Sequence, residues 1–245
     1  MEMTDESAPL DLLFLSSGNA FGAEGRAFSS FLLNGRYLFD CGPTVLQQLR
    51  KAGVPHTDID AVFISHFHAD HFFGLPFLFL ASRYEGRTRD LTIVGPPGIE
   101  GHTEGLMSLG YPHLLDEALF GVRFVEVSDG YCGHVCGLDF SAARVDHVDQ
   151  LNCFAYRAQP RGKAVVYSGD TTLCEGLLRL SKDADVIVLE CSCDGVPVHL
   201  SPEGVQAVAD YAPQAQIVLT HLDGLQDTKA FPGILIAEDV GRYRF

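Results

Sequence analysis

The sequence predicts a mixed α/β (α+β) protein in which helices pack on the outer faces of β-sheets. Apolar runs of strand length follow one another in the first half of the chain, whereas strand-like and helix-like segments alternate in the later part. Hydrophobic residues make up 47% and charged residues 20% of the 245 residues, which is ordinary for a globular protein with a sizeable core. We therefore expect one domain over residues 1–245, with residues 1–9 as a polar N-terminal tail.

The first half of the chain is predicted to consist mainly of strands. Asn34-Gly35, between two apolar runs, predicts a tight hairpin turn. A helix is predicted from Pro43 to Gly53, because proline suits the first turn of a helix and glycine suits its end. A second short helix is expected after residue 95, and the run at 72–82 is interpreted as core packing. The predicted strands are 10–15, 28–33, 36–40, 61–65 and 91–95.

The later part of the chain contains both element types. Helices are predicted at 174–183 and 201–212, the second capped by Ser201 and started by Pro202. Residues 131–137, YCGHVCG, contain two cysteines and a histidine, but a structural zinc needs four ligands, so a turn punctuated by glycine is predicted there. The predicted strands are 122–127, 138–145, 152–158, 163–170, 185–190 and 215–221.

Composition and charge exclude several classes of function. The 17 basic residues face 32 acidic ones, which gives a formal net charge of -15, and no run of Lys and Arg interrupts this excess. Such a surface repels phosphate backbones, so we expect no strong nucleic-acid binding. No apolar stretch is long enough to span a membrane, and the N-terminus has no apolar signal segment. Seven irregularly spaced cysteines favour reduced thiols and a cytoplasmic location.

The densest chemical signal is SHFHADH, residues 65–71, which places three histidines and an aspartate within six positions. Such crowding of imidazole and carboxylate groups becomes favourable when a cation is bound. Five predicted strands also run into a residue that can bind metal, and the carboxyl ends of strands converge on one crevice. These five residues are His66, His147, Asp170, Glu190 and His221.

These segments resemble the metallo-β-lactamase superfamily, and specifically its ribonuclease Z-like branch. SHFHADH carries the resemblance, together with SSGNAFGAEGRAFSSFLL, YLFDCG, YSGDT, HLSPEGVQAVAD and IVLTHL, so that it extends from about Leu10 to His221. It implies a four-layer αβ/βα sandwich with two metal ions in the cleft between two sheets. It also implies one metal on His66, His68 and His147, a second on Asp70, His71 and His221, and a bridge through Asp170.

The residue types themselves agree with such a site. Imidazole and carboxylate ligands without thiolate suit zinc, manganese or iron in a site that keeps open positions, and zinc is the first choice among them. A shared carboxylate holds two divalent ions roughly 3.5–4 Å apart. At this spacing the two ions can stabilise both the attacking and the leaving oxygen of a displacement reaction. The reaction class is therefore metal-assisted hydrolysis, and the resemblance makes Asp70, His199 and Glu190 the candidate catalytic residues.

The expected substrate is a small or cyclic phosphodiester. The resemblance implies that His199 protonates the leaving alkoxide and that Glu190 orients it, and such an acid is most useful for a poor leaving group. Ribonuclease Z itself carries a long arm between the positions of His147 and Asp170, but these residues are only 23 positions apart here. The layout therefore resembles the compact cyclic-phosphate phosphodiesterases of the branch. No cysteine precedes Cys41, so the additional structural zinc of some of these relatives is not expected. The sequence does not fix the oligomeric state; a homodimer is the candidate that the resemblance offers, because relatives are often dimeric.

Other interpretations stay open from the sequence. The hydrolysed bond could belong to a lactone, a thioester or an aryl sulfate, or the protein could process RNA as ribonuclease Z does. A metal-binding or sensor protein without turnover is a further alternative. His199 could serve only as a structural residue before the helix at 201–212. His56, His102 and His113 are interpreted as structural residues rather than ligands.

Overall fold

Two seven-stranded β-sheets, stacked face to face, form the centre of the computed structural model, which describes residues 9–114, 120–193, 195–224 and 231–245. The first sheet has the strand order β14-β1-β2-β3-β4-β5-β6. Its strands are β1 (Asp11–Ser16), β2 (Ser30–Leu33), β3 (Tyr37–Phe39), β4 (Ala61–Phe63), β5 (Leu91–Gly95), β6 (Val122–Glu126) and, from the C-terminus, β14 (Gly241–Arg244).

The second sheet has the strand order β13-β12-β11-β10-β9-β8-β7. It is mixed: β7, β8, β9 and β10 pair antiparallel, and β10, β11, β12 and β13 pair parallel. Its strands are β7 (Tyr131–Val135), β8 (Leu138–Val145), β9 (Cys153–Gln159), β10 (Val165–Tyr167), β11 (Val186–Cys191), β12 (Gln216–Leu222) and β13 (Leu235–Ile236).

The α-helices lie outside both sheets. In the chain order they are α1 (Val45–Lys51), α2 (Ala69–Phe72), α3 (Leu75–Tyr84), α4 (Ile99–Gly110), α5 (Glu175–Ser181) and α6 (Pro202–Tyr211). Helices α1, α3 and α4 pack on the first sheet through one buried cluster, and α5 and α6 pack on the second sheet through another. This arrangement gives four layers in the order helix, sheet, sheet, helix, as the resemblance implied.

The core between the two sheets is rich in aromatic side chains. Phe31, Phe39 and Phe63 of the first sheet stack in a row, with ring centroids 4.7 Å and 4.9 Å apart. Phe140 and Tyr167 of the second sheet meet this row edge to face. The alternation along each strand sends one set of side chains to this core and the other set to the helices. The two sheets are therefore held together over a wide area next to the cleft.

Most of the predicted elements are confirmed, with shifted boundaries. The hairpin turn at Asn34-Gly35 has φ values of 50° and 69°, as a tight turn of the primed type requires. Ser201 caps α6 by accepting a hydrogen bond from the Gly204 N–H at 3.2 Å.

The prediction of a turn at 131–137 is wrong for most of that segment. Residues Tyr131–Val135 form β7, and only Cys136-Gly137 makes the turn into β8. Pairing with the long strand β8 outweighs the poor strand preference of the cysteine and glycine residues in β7.

The run at 72–82, for which no element was predicted, contains the end of α2 and most of α3. Strands β13 and β14 were not predicted either. Within the described ranges, no helix has the length and apolar character that crossing a bilayer requires.

Candidate metal centre

The candidate ligands come from both sheets and meet in the cleft between them. The loop after β4 and helix α2 carry His66, His68, Asp70 and His71, while His147 follows β8, Asp170 follows β10 and His221 lies near the end of β12. Their ligating atoms form two groups within the described residues, each with all atoms within 4.8 Å of one another. The groups are His66, His68, His147 and Asp170, and Asp70, His71 and His221.

The first group contains three imidazoles and one carboxylate oxygen. His66 Nε2 and His147 Nε2 each lie 3.8 Å from Asp170 Oδ2, and His68 Nδ1 lies 3.3 Å from His147 Nε2. The two 3.8 Å separations are too long for hydrogen bonds, whereas His68 Nδ1 and His147 Nε2 lie within hydrogen-bond distance. One cation among these four atoms could contact all of them.

The second group also lies beside Asp170. His71 Nε2 is 3.2 Å from Asp70 Oδ2 and 3.4 Å from Asp170 Oδ1. His221 Nε2 is 3.4 Å from both Asp70 Oδ2 and Asp170 Oδ2. Asp170 is therefore the residue whose oxygens lie near both groups of ligand atoms, which is the position that a bridging carboxylate would occupy.

Hydrogen bonds fix the orientation of three of the imidazole rings. The Nδ1 of His66 lies 2.9 Å from Ser65 Oγ, that of His71 lies 2.6 Å from Asp40 Oδ2, and that of His147 lies 2.8 Å from the Val198 carbonyl oxygen. When Nδ1 carries the proton in these bonds, Nε2 presents its lone pair to the cleft. This is the tautomer that a metal ligand requires.

Asp40 belongs to the candidate site but was not singled out from the sequence. Its carboxylate is fully buried and accepts hydrogen bonds from the Ser65 N–H at 2.7 Å, the Ser65 hydroxyl at 2.8 Å and the Tyr167 hydroxyl at 2.6 Å, besides its contact with His71. Asp40 thereby connects the ligand loop to the second sheet and holds His71 in place. The only signal in the sequence was an acid at the end of an apolar strand, in YLFDCG.

Two backbone features help to place the ligands. His221 has a φ of 51°, a left-handed conformation that is unfavourable for a residue other than glycine and is found mainly where the surrounding structure enforces it. Gly169 has a φ of 58°, and a Cβ there would stand 2.7 Å from the Ser65 Cβ. The loop that carries Asp170 can therefore approach the His66 loop only with glycine at position 169.

The electrostatics divide the histidines into two classes. Burial lowers the pKa of His66 well below its usual range and also lowers the pKa values of His68 and His147, which favours the neutral form of each ring. Burial also disfavours charge on His71 and His221, but Asp170 and the neighbouring carboxylates raise the pKa of each. Burial alone would raise the pKa of Asp170, yet His221 and His71 hold it well below its usual range. The carboxylates of the cluster thus attract positive charge, either from protonated imidazoles or from a cation.

His199 and Glu190 lie beside the same cluster. His199 Nδ1 is 2.8 Å from Glu190 Oε2, and the His199 ring lies 4.9 Å from the His147 ring and 5.3 Å from the His221 ring. Glu190 is buried and also accepts the Thr171 N–H at 2.5 Å. Burial, together with the charge of Asp170, raises the pKa of Glu190 well above its usual range. Glu190 and His199 also form a third possible metal-binding group with Asp170 and His221, so geometry alone allows His199 to be an acid or a ligand.

The residues present fit divalent metal ions. His66 Nε2, His71 Nε2 and Asp170 Oδ1 are buried atoms without a hydrogen-bond partner, and all three face the clusters. Such atoms are costly to bury unless a further group binds them. Nitrogen and oxygen donors in groups of three and four match the preferences of zinc and related ions.

The comparison with protein families decides the identity of the domain. A family model described as a beta-lactamase superfamily domain matches residues 35–222, which include all seven candidate ligands. The chain belongs to the β-lactamase superfamily. Members with this fold hold divalent metal ions, in agreement with the clusters of His and Asp described above.

Within this superfamily, the chain is similar to ribonucleases Z. The ribonuclease Z of Methanosarcina mazei is 29% identical over 298 aligned positions, which cover 94% of this chain and 96% of that protein. Because the alignment is longer than the 245 residues of this chain, the relative contains residues that this chain lacks.

Solved structures support the same fold. The metallo-β-lactamase fold protein YhfI of Bacillus subtilis superimposes with a TM-score of 0.78 at 21% identity, covering 97% of this chain and 100% of that one. Human tRNase Z, short form, superimposes with a TM-score of 0.76 at 25% identity, covering 95% and 98% of the two chains.

Proposed function

We propose that this β-lactamase superfamily protein is a dinuclear, metal-dependent phosphodiesterase that hydrolyses a small or cyclic phosphodiester. The observation that carries the proposal is the pair of His199 and Glu190, 2.8 Å apart, beside the shared Asp170. A proton donor at this position suits a reaction with a poor leaving group, whose alkoxide oxygen must be protonated as it departs. The similarity to ribonucleases Z, which act on a phosphodiester bond, supports the same reaction class.

The seven residues are assigned to two ions, with zinc as the first choice. His66, His68 and His147 would hold one ion, Asp70, His71 and His221 the other, and Asp170 both. When bound, such ions supply Lewis-acid stabilisation of the phosphoryl oxygens and make water a stronger acid. The buried rings and carboxylates keep the site rigid, because their hydrogen bonds to Asp40, Ser65 and Val198 limit their movement.

The protein supplies the proton for the leaving oxygen through His199. When His199 carries a proton on Nδ1, it donates this proton to the Glu190 carboxylate, and the contact fixes the orientation of the ring. When it carries a proton on Nε2, His199 can donate that proton to the departing oxygen.

The test of this role compares two leaving groups. In His199→Ala, turnover of a diester with an alkyl or ribose leaving group should fall by about 10²–10⁴-fold, because that group needs protonation. Turnover of a p-nitrophenyl ester should fall much less, since p-nitrophenolate departs as an anion. Metal content should stay unchanged. Glu190→Gln should show the same pattern more weakly, and the exposed His134→Ala should change neither rate.

Two results would contradict the assignment of His199. An equal loss of turnover on both substrates would show that His199 does not act as the leaving-group acid. Loss of one metal ion from His199→Ala would show that it is a ligand, as the third group of possible ligands allows.

The bond class has its own test. Bis(p-nitrophenyl) phosphate, an aryl sulfate and an acyl lactone should be assayed on one metal-loaded preparation. We expect the phosphodiester to be hydrolysed most rapidly. Preference for the sulfate or the lactone would contradict the phosphodiesterase proposal and favour another ester class.

Ribonuclease Z-type RNA processing is the second candidate, because relatives that cover more than nine-tenths of this chain are named ribonuclease Z. These relatives do not support the expectation that this protein lacks strong nucleic-acid binding. Against RNA processing, the residues between His147 and Asp170 are used for β9, β10 and their connections. A homodimeric state and a cytoplasmic location stay predictions from the sequence.

A further inference from the structure

The candidate ligand His221 is the extra residue of a β-bulge in strand β12. Glu190 of β11 pairs with Thr220. The next residue of β11, Cys191, pairs with Leu222, so the register between the two strands skips His221. The extra residue of a bulge is left out of the ladder and bends its strand. The left-handed φ of 51° at His221 likewise persists only where the surrounding structure enforces it. Contacts from outside the β11–β12 pair are therefore needed to hold this residue in place.

The loop of residues 17–29, which connects β1 to β2, contacts the chain on both sides of this bulge. On one side, the buried hydroxyls of Ser29 and Thr220 lie 2.7 Å apart, within hydrogen-bond distance. On the other side, the Leu222 N–H donates to the Ser17 carbonyl oxygen at 2.9 Å. The residues directly before and after the candidate ligand are thus both hydrogen-bonded to one loop.

Asp239, in the C-terminal segment between β13 and β14, ties the two ends of this loop together. Its Oδ1 accepts the Ser17 N–H at 2.9 Å and the Ser17 hydroxyl at 3.0 Å. Its Oδ2 accepts the Ala27 N–H at 2.8 Å. The Arg26 guanidinium belongs to the same network and donates to Ser17 Oγ at 2.6 Å. A single carboxylate therefore fixes the start and the end of the loop through backbone N–H groups.

We propose that Asp239 is a positioning residue of the metal centre, which acts through the loop of residues 17–29 to hold the bulged His221 as a metal ligand. The inference rests on the proposed assignment of His221 to a metal ion and adds a residue from the C-terminal segment. The path of contacts leads to one ligand group only. The hydrogen bonds that orient His66 and His147 are made with Ser65 and the Val198 carbonyl, which lie outside this loop.

The test measures zinc binding to the full chain at both sites, by competition with a chromophoric chelator. In Asp239→Asn, an NH₂ group replaces one acceptor oxygen and cannot accept the N–H of the loop. The ion assigned to Asp70, His71 and His221 should bind about 10–100-fold more weakly, the usual effect of removing a group that orients a ligand. The affinity of the other ion should stay unchanged. His221→Ala identifies the affected ion, because it removes a ligand of that ion directly.

A double variant separates positioning from a general loss of stability. If Asp239 acts through His221, Asp239→Asn should weaken zinc binding no further in a chain that already carries His221→Ala. Ser29→Ala removes the hydroxyl contact with Thr220 at the other end of the path and should weaken the same ion. Glu238→Gln is the matched control, because Glu238 is the exposed neighbour of Asp239 in the same segment. This control should keep both native affinities.

Two outcomes would overturn the inference while leaving the metal assignment intact. Native affinities in Asp239→Asn would show that the loop does not need this carboxylate to hold His221. Equal weakening of both ions would show that Asp239 serves the stability of the fold as a whole. If Asp239→Asn does not fold, the same two outcomes in Ser29→Ala decide the question. A different result concerns the proposed function itself: if His221→Ala binds both ions as the native chain does, His221 is not a ligand, and the inference fails with that assignment.

Discussion

Asp170 is the residue on which the two halves of the candidate metal centre depend. Its two oxygens lie 3.4–3.8 Å from nitrogens of His66, His71, His147 and His221. In Asp170→Ala, both ions should bind more weakly, because each loses a ligand and the spacing between them is no longer fixed. The loss of metal affinity should exceed the roughly 10–100-fold loss that is typical when a residue hydrogen-bonded to a metal ligand is removed. Metal analysis of the purified variant measures this directly.

The matched comparison is with His147→Ala, which removes a ligand of one ion only. That variant should keep about one ion and more activity than Asp170→Ala. The exposed His134→Ala should keep the native metal content. If Asp170→Ala kept most of the activity and both ions, Asp170 would not be the bridge.

The sequence predicts individual candidate ligands, but it does not predict the residues that orient them. His66, His68, Asp70 and His71 stand close together in the chain, so their spacing alone indicates a metal site. Asp40 is near none of its partners in sequence: its hydrogen bonds come from Ser65 and Tyr167, which are 25 and 127 positions away. Such contacts exist only after β3, β4 and β10 have been placed together by the fold.

At the scale of elements, the ligand helix α2 depends on a close contact with the loop after β3. The Cys41 N–H donates to the His71 carbonyl oxygen at 2.7 Å, and the Gly74 N–H donates to the Cys41 carbonyl oxygen at 2.7 Å. A Cβ at Gly42 would stand 1.9 Å from the Asp70 carbonyl oxygen. Since both sides of this contact are backbone, they cannot yield as a flexible side chain would.

Gly42→Ala should therefore displace α2 and the ligands that it carries. We expect a loss of unfolding free energy of about 1–3 kcal/mol or more, together with reduced metal content. Chemical denaturation and metal analysis measure the two effects. Gly110→Ala is the matched control, since its Cβ would make only an ordinary contact at 3.8 Å from Pro76 Cβ. Native metal content in Gly42→Ala would show that the contact does not position α2.

Elements with a clear periodic pattern were predictable, whereas those formed by pairing alone were not. Strands β1, β5 and β11 are each buried along most of their length, and their sequences are therefore apolar runs. These runs identify them as strands. β7 contains glycine and cysteine and is recognisable only through its pairing with β8. Helix α2 has only four residues, too few to show a helical period. The C-terminal strand β14 is defined by its antiparallel pairing with β1, at the opposite end of the chain.

For the whole molecule, the layering could be predicted but the strand order could not. Alternating strands and helices indicate helices outside sheets. However, which strands become neighbours depends on contacts between distant segments, such as those of β14 with β1 and of Ser17 with Asp239. The cleft that holds the candidate ligands lies between the two sheets, so its position follows from the layering, while its detailed geometry follows from the strand order.

The charge of the whole molecule leads to a prediction about transfer RNA. With 17 basic and 32 acidic residues, the chain can neutralise few phosphates, and each neutralised phosphate contributes to affinity through the release of counterions. We expect a dissociation constant for transfer RNA no lower than the roughly 10⁻⁶–10⁻⁴ M that is typical of non-specific binding at physiological salt.

A fluorescence titration at about 50 and 200 mM salt measures the affinity and its salt dependence. The ribonuclease Z of Methanosarcina mazei, titrated in parallel, provides the matched comparison. Tight binding by this chain that weakens steeply with salt would reverse the order of the two candidate functions, because a local basic surface would then be overcoming the net charge of -15.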